Sequence, residues 1–131
     1  MPVPTKKFWR VPPDLYKVLD SEFHFDFDPC PYPCPEGYNS LVLPWGKSNF
    51  VNPPFKRIDA PYGGPSAFAR KAIEQHDKGK VSVLILPVPN SIGLLLEAGA
   101  EVRYGGAVRW LEVDSLEPAP QAWRQGLFIL Q

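Results

Sequence analysis

Segment 81–86, Val-Ser-Val-Leu-Ile-Leu, constrains the fold of this chain more than any other. Its almost continuous apolar character is typical of a strand in the middle of a sheet, buried on both faces. A helical pattern precedes it in segment 66–78, and Gly79 follows as a helix terminator. The apolar stripe of that helix consists of Phe68, Ala69, Ala72 and Ile73. A helix that leads into a buried strand predicts an α/β fold.

Three elements are predicted upstream of this pair. Segment 12–19 is expected to form a short helix, because proline suits the first turn of a helix. In segment 23–27 phenylalanines alternate with polar residues, which predicts a strand with one apolar face that ends at Asp28. Segment 49–51 is predicted as a second short strand, and it delivers Asn52 to its carboxyl end.

Downstream of the buried strand we expect a short helix and three late strands. The helix is capped by Ser91, runs to Ala98 and is ended by Gly99. The strands are predicted at 102–104, 108–113 and 127–130. The order of elements therefore predicts an alternating α/β core that is finished by antiparallel strands.

Length and composition limit the classes of protein to consider. A chain of 131 residues is expected to form one domain, and 44% hydrophobic residues indicate a globular protein and not a disordered one. The formal net charge of zero gives no strong general attraction to nucleic acid. No segment has the pattern of a signal peptide or the length of a membrane span, so we expect a soluble, cytoplasmic protein without a membrane partner.

The tetrapeptide Asn52-Pro53-Pro54-Phe55 has the residue types needed to methylate an exocyclic amine. The lone pair of an amine such as that of adenine is delocalised into the ring. The carboxamide oxygen of Asn52 and the carbonyl oxygen of Pro53 can accept the two amine hydrogens and localise that lone pair. Pro54 stiffens the turn, and Phe55 offers a flat face on which an extruded base can stack.

The alternative interpretation of this tetrapeptide is a plain polyproline turn in a chain with 17 prolines. Its position after a predicted strand favours the functional interpretation, because open α/β sheets bind ligands at the carboxyl ends of their strands. Lys56 and Arg57 follow directly and are placed to contact a phosphate beside a flipped base. The alternative for this basic pair is a solvated loop.

The two cysteines, Cys30 and Cys34, lie in a proline-rich segment that is expected to be an extended loop. His24 and His76 are the two histidines of the chain, and no pair of ligands has the spacing of a zinc finger. We therefore expect no metal site and reduced thiols, since disulfides are disfavoured inside cells.

The motifs of this chain resemble those of the small phage-type DNA adenine-N6 methyltransferases. The resemblance rests on segments 9–13, 25–30, 52–55, 83–87 and 102–110, in this order, with Trp45 ahead of the Asn-Pro-Pro-aromatic element. That element is the specific part, and it is shared with amino methyltransferases that act on RNA and on protein glutamine.

This resemblance implies an abbreviated Rossmann-like class I methyltransferase sheet, with S-adenosylmethionine bound at the carboxyl ends of the strands. Asp28-Pro29-Cys30 takes the place of the motif that contacts the methionine end of the cofactor. Val11-Pro12 takes the place of an N-terminal Thr-Pro element that also contacts it, and Trp9 can pack beside the adenine ring. Asn52 then belongs to both the cofactor site and the catalytic site. Trp9 and Trp45 fit core packing equally well.

Several residues depart from the family pattern. Val11 lacks the threonine hydroxyl, prolines follow Asp28 where many methyltransferases have glycines, and Ala107 replaces an arginine. The segment between Asp28 and Asn52 is too short for the usual strand and helix units. The cofactor pocket is therefore expected to be abbreviated.

Three functions follow from these features. The first is an S-adenosylmethionine-dependent enzyme that methylates adenine N6 of DNA in the cytoplasm, that of a bacterial host if the chain is phage-encoded. The second is a catalytically inactive methyltransferase-fold protein that binds nucleic acid or a protein partner. The third keeps the chemistry but uses RNA, cytosine N4 or protein glutamine as acceptor. Target recognition would come from loops 56–65 and 87–92, from a homodimer or from a partner.

Overall fold

The computed structural model of the protein describes residues 9–31, 37–53, 65–87, 92–108, 111–112 and 123–131. The strands are β1 Trp9–Arg10, β2 Ser48–Val51, β3 Val81–Pro87, β4 Glu101–Val108, β5 Leu111–Glu112 and β6 Trp123–Leu130. The helices are α1 Pro13–Phe23, α2 Pro65–Asp77 and α3 Ile92–Glu97, with a short 3₁₀ helix at Ser40–Val42.

A four-stranded sheet with the order β2-β3-β6-β4 forms the centre of the fold. β2 and β3 are parallel, whereas β6 is antiparallel to both β3 and β4. β4 therefore runs in the same direction as β2 and β3, and β6 is the reversed strand between them. β1 and β5 form a separate antiparallel pair. The predicted mixed α/β architecture and the antiparallel pairing of the late strands are confirmed.

Apolar side chains cover both faces of this sheet. The α1-side cluster comprises Val11, Leu19, Phe23, Phe50, Val83, Ile85, Leu127 and Ile129. The α2-side cluster comprises Trp45, Val51, Phe68, Ala69, Ala72, Leu84, Leu86, Leu95, Phe128 and Leu130. Successive residues of β3 and β6 belong to opposite clusters, as the alternation of side chains along a strand requires. The prediction that β3 is a central strand buried on both faces is confirmed.

The predicted strand at 23–27 is wrong in its first half. Leu15, Leu19 and Phe23 are spaced four residues apart, so they form one stripe of α1, and Phe23 is the last residue of that helix. His24 follows with a φ of 52° and ends the helix in a left-handed conformation. A parallel bridge from Phe27 to Asn49 is what the structure retains of the predicted strand.

The single apolar face predicted for this segment is also wrong. Phe25 packs against the α1-side cluster, whereas Phe27 packs against the α2-side cluster. The segment crosses from one face of the sheet to the other because it enters the sheet only near Phe27. β2, α2, β3 and α3 lie where the sequence predicted them, within about two residues. The expected cap residue Ser91 lies outside the described residues.

The predicted strand at 108–113 is divided between two elements. Val108 ends β4, and β5 covers Leu111–Glu112 and pairs with β1, whose formation the sequence did not indicate. β4 and β6 are both longer than predicted, because each forms a ladder with the other from Glu101 to Val108. Their polar and glycine positions carry no strand pattern of their own.

Candidate active site

Two segments that follow parallel strands reach the same edge of the sheet. Phe27 pairs in parallel with Asn49 of β2, and the Phe50 N–H donates to the Phe27 carbonyl oxygen at 3.2 Å. Asp28 follows Phe27 directly, and Asn52 follows the end of β2. Because parallel strands present their carboxyl ends at one edge, the segments that begin at Asp28 and Asn52 are neighbours there.

The residues that precede these two lie on one face of the sheet. Val51 and Phe27 both pack in the α2-side cluster. Asn52 is half-buried and makes a contact within the protein, and Pro53 is buried. The structure therefore brings two of the predicted site residues, Asp28 and Asn52, to one edge of the sheet.

Asp28 holds its carboxylate in an Asx turn. The Cys30 N–H donates to Asp28 Oδ1 at 2.9 Å. Burial of the carboxyl group raises the pKa of Asp28, and the hydrogen bond from Cys30 opposes this shift. Asp28 as a whole residue is exposed, so a ligand can reach its carboxylate from solvent. Among the ion pairs of the described residues none involves Asp28. Such a carboxylate is suited to a cationic ligand.

Val11 and Pro12 lead into α1 on the α1 side of the sheet. Val11 is buried in the α1-side cluster, and Pro12 is the N-cap residue of α1, whose carbonyl oxygen accepts from the Tyr16 N–H at 3.2 Å. The segment therefore joins the core to the start of α1, and the Val11 side chain fills apolar space. For Trp9 the structure gives the backbone position in β1, paired with Glu112.

Pro29 and Cys30 are attached to the 3₁₀ helix that follows. The Ser40 hydroxyl donates to the Pro29 carbonyl oxygen at 2.6 Å, and Cys30 packs against the α2-side cluster. Trp45 holds Ser40 in place through a hydrogen bond, in which its indole N–H donates to the Ser40 carbonyl oxygen at 3.0 Å. The sequence leaves Trp45 open to two interpretations, ligand contact and core packing. The structure supports core packing, because the side chain is buried and the backbone N–H donates to Gln75 Oε1 at 3.0 Å.

A buried carboxamide sets the register of β2 against its neighbours. Asn49 Oδ1 accepts from the Gly46 N–H at 2.9 Å, and Asn49 Nδ2 donates to the carbonyl oxygens of Gly46 and Val81. Asp26 Oδ1 accepts from the Ser48 N–H at 3.0 Å on the other side of β2. These contacts lie at the amino end of β2, and they fix how far the strand carries Asn52. Sequence reasoning missed this role, although a polar residue inside an apolar strand is a signal for it.

Tyr16 is a further residue of this edge that sequence reasoning missed. Its ring centroid lies 5.2 Å from that of Phe50, edge-on, and 5.7 Å from that of Phe25. Burial raises the pKa of Tyr16, and the negative charges of Asp20 and Asp28 raise it further. Its ring thus packs against the residue of β2 that lies two positions before Asn52. No local pattern in the sequence indicates this, because the contact depends on how α1 packs on the sheet.

The rest of the predicted site lies outside the described residues: Pro54, Phe55, Lys56 and Arg57. Within the described ranges no group of three or more histidine, cysteine or acidic side chains could hold a metal ion. The helices described by the structure are too short or too polar to cross a membrane.

Comparison with known proteins gives a curated relative from a phage. The chain is 28% identical over 127 residues to a protein of Escherichia phage T1 named DNA N-6-adenine-methyltransferase. The alignment covers 88% of this chain and 49% of the phage protein, so the chain spans about half the length of that relative. No family model matches the chain. No solved structure matches it significantly. The name of the phage protein agrees with the family that the order of motifs indicates.

Proposed function

We propose that this chain is an S-adenosylmethionine-dependent methyltransferase that acts on the N6 amine of adenine in DNA. The observation that supports the proposal is that Asp28 follows the parallel bridge from Phe27 to Asn49 and Asn52 follows β2, so that both lie at one edge of the sheet. That edge is where open α/β sheets bind their ligands. The similarity to the phage protein over most of this chain supports the same activity.

We further propose that residues 1–131 form a single domain around an abbreviated Rossmann-like class I methyltransferase sheet. Three strands that run in one direction, with the reversed β6 inserted beside β3, support this assignment. The segment around Phe27 lies directly beside β2, so the short stretch between Asp28 and Asn52 still brings both residues to one edge. The chain between Asp28 and Asn52 is thus shorter than in the usual sheet, but both residues still lie at the same edge.

The Asp28 carboxylate fits the charged end of the cofactor. A carboxylate with no cationic partner among the described residues is suited to the ammonium group of S-adenosylmethionine. When bound, this cofactor supplies the methyl group. Asp28 holds the ammonium group, and the rest of the proposed cofactor site consists of Trp9, Val11, Pro12, Pro29, Cys30 and Asn52.

The acceptor is bound by the segment that follows β2. The Asn52 carboxamide oxygen and the Pro53 carbonyl oxygen accept the two amine hydrogens and direct the lone pair at the methyl donor. Pro54 stiffens the turn, and Phe55 stacks on the extruded base. Lys56 and Arg57 contact the DNA backbone beside that base. The amine proton leaves after methyl transfer, so this arrangement needs no strong base.

Mass spectrometry of nucleosides from DNA incubated with the protein and S-adenosylmethionine tests this function. We expect N6-methyladenine with the wild-type chain, and about 10²–10³-fold less with Asn52→Ala, as for one lost partner at a transition state. Asn52→Asp is expected to lose less activity, because aspartate presents an oxygen at the same place. Thermal unfolding of each variant, with and without S-adenosylhomocysteine, checks that folding and cofactor binding are retained.

The outcomes of this assay separate the alternatives. Equal methylation by the wild type and Asn52→Ala would refute the role of Asn52. Product on RNA, on cytosine N4 or on protein glutamine in place of DNA adenine would change the acceptor and keep the chemistry. No product with any acceptor would favour a catalytically inactive methyltransferase-fold protein that binds nucleic acid or a protein partner. The buried Val11, which offers no hydroxyl group, favours that second function.

A further inference from the structure

The peptide unit between Pro29 and Cys30 is hydrogen-bonded at both of its polar groups. Its carbonyl oxygen accepts from the Ser40 hydroxyl at 2.6 Å, and its N–H donates to Asp28 Oδ1 at 2.9 Å. A peptide unit is planar, so its carbonyl group and its N–H turn together. The Ser40 hydroxyl and the Asp28 carboxylate are therefore joined through one rigid group.

The hydroxyl group of Ser40 satisfies a carbonyl oxygen in a buried residue. Pro29 is buried, and segment 28–30 lies outside the described strands and helices, so its carbonyl groups depend on side chains or water for a donor. A buried carbonyl oxygen that loses its donor is unfavourable. Without the hydroxyl group we expect the peptide unit to turn toward solvent, which also withdraws the Cys30 N–H from Asp28.

Ser40 itself is anchored in the core. The Trp45 indole N–H donates to the Ser40 carbonyl oxygen at 3.0 Å. The backbone of Trp45 is bonded at both polar groups, because its N–H donates to Gln75 Oε1 at 3.0 Å and its carbonyl oxygen accepts from Lys80 Nζ at 2.6 Å. Trp45 and Gln75 are both buried. The hydroxyl group of Ser40 is thus held in one place by α2 and the start of β3.

We propose that Ser40 is a positioning residue of the cofactor site, which acts through the Pro29–Cys30 peptide unit to hold the Asp28 carboxylate in the orientation that binds an ammonium group. This inference rests on the proposed function and adds a residue that does not itself touch the cofactor. The Cys30 N–H binds Oδ1, so Oδ2 accepts from the ligand. A carboxylate that is already oriented loses less conformational freedom when the ligand binds.

Ser40→Ala removes this hydroxyl group, and Ser48→Ala is the matched control. The Ser48 hydroxyl donates to the Phe23 carbonyl oxygen at 2.7 Å, and Ser40 and Ser48 are 3% and 8% exposed. Each variant loses one hydrogen bond from a buried serine to a backbone carbonyl, so similar falls in melting temperature are expected. Ser48 begins β2, whereas the proposed site follows the end of that strand. Ser40→Cys, whose thiol is a weaker donor, is a second variant with the same expected direction.

Isothermal titration with S-adenosylmethionine and S-adenosylhomocysteine measures the effect on binding. We expect Ser40→Ala to bind both ligands roughly 3- to 10-fold more weakly, the effect of one hydrogen bond, and Ser48→Ala to bind them as the wild type does. The loss caused by Ser40→Ala should shrink in the Asp28→Ala background, because the carboxylate that it positions is then absent. In methylation assays the KM for S-adenosylmethionine should rise while kcat stays near the wild-type value.

The Cys30 amide proton gives a readout that needs no ligand. In NMR spectra of the wild type its resonance should move as Asp28 titrates, because this N–H donates to that carboxylate. The movement should be smaller in Ser40→Ala and unchanged in Ser48→Ala. Full movement in Ser40→Ala, wild-type affinity of this variant, or an equal loss of affinity in both serine variants would overturn the inference alone. Absence of binding of both ligands to the wild type would overturn the proposed cofactor, and this inference with it.

Discussion

The raised pKa of Asp28 predicts that its charge opposes folding at neutral pH. Burial raises its pKa above the value in the unfolded chain, so the folded state binds the proton more tightly. The free energy of unfolding therefore falls as the pH rises through these two pKa values, and the charged carboxylate destabilises the ligand-free protein at pH 7. A group retained at such a cost is typical of a functional site.

Asp28→Asn is accordingly expected to raise the melting temperature at pH 7. The gain should shrink as the pH falls below the pKa of aspartate in the unfolded chain, because both proteins are then neutral at this position. Scanning calorimetry between pH 3 and pH 7, roughly spanning the ordinary titration of aspartate, measures the effect. A lower melting temperature of Asp28→Asn at pH 7 would show that the charged carboxylate stabilises the folded protein instead.

Asp26→Asn is the matched control, and its sign should be opposite. Asp26 accepts from the Ser48 N–H at 3.0 Å and from the Lys47 N–H at 3.4 Å. Replacing the carboxylate by a carboxamide removes the charge from these hydrogen bonds and leaves a donor near backbone donors. We expect a loss of roughly 1 kcal/mol in the free energy of unfolding, measured by urea denaturation.

At the level of elements, the absence of a side chain at Gly46 lets the segment of Phe27 and Asp28 approach β2 closely. A Cβ atom at Gly46 would lie 2.7 Å from the Cβ atom of Phe27, and it would also overlap the Asp26 carboxylate. Gly46→Ala therefore pushes this segment away from β2. We expect a loss of roughly 1–3 kcal/mol in stability, as in other overpacked positions, and weaker cofactor binding.

Gly93→Ala is the control for this substitution. Gly93 lies in α3, and apart from its chain neighbours and the backbone of its own helix no described atom lies within 4 Å of the position where its Cβ would stand. Alanine in a helix is favoured over glycine by about 0.5–1 kcal/mol, so this variant should gain stability and bind the cofactor normally. Thermal unfolding and titration with S-adenosylhomocysteine report both properties. Wild-type stability of Gly46→Ala would show that the segment has room to move.

The elements that sequence analysis predicted well are those whose apolar patterns stand alone. α2 has a complete apolar stripe, and β3 is apolar almost throughout, so neighbours were not needed to recognise them. In contrast, β4 and β6 include polar and glycine positions that become strand only through pairing with each other. Segment 23–27 begins with Phe23, which also continues the helical spacing of Leu15 and Leu19, and in the structure these three residues pack together in or against the α1-side cluster.

The candidate site divides in the same way. Asp28 and Asn52 could be placed from the sequence, because the position of a residue after a strand assigns it to the carboxyl edge of a sheet. Tyr16 could not, since it reaches this edge through the packing of α1 on Phe50. Asn49 is detectable as a polar residue within a strand, but its partners Gly46 and Val81 are given only by the fold.

At the scale of the whole molecule, the proposed binding of DNA would have to rely on local charges. The formal net charge is zero, so the chain as a whole gives little attraction to a polyanion. We expect Lys56→Glu with Arg57→Glu to weaken binding of all DNA sequences alike. The slope of log K against log salt should flatten by about 0.9 for each phosphate contact that is lost.

The control for this pair reverses two other positive charges, those of Lys47 and Lys78. Lys47 directly precedes β2, where its carbonyl oxygen accepts from the Val81 N–H, and Lys78 follows the end of α2. Lys47→Glu with Lys78→Glu should leave the salt slope nearly unchanged in fluorescence anisotropy titrations. Equal flattening by both double variants would indicate that overall charge, and not the proposed base pocket, governs binding.

The insertion of β6 between β3 and β4 has a consequence for biosynthesis. β6 is the latest of the four strands along the sequence, yet β4 joins the sheet only through it. During translation, at roughly 5–20 residues per second, β3 is synthesised seconds before β6, and one of its edges stays unpaired for that time. A nascent chain with an apolar strand and an unpaired edge is prone to aggregate. Slow translation downstream of β3, or depletion of chaperones, should therefore lower the yield of this protein more than that of one whose strands pair in sequence order.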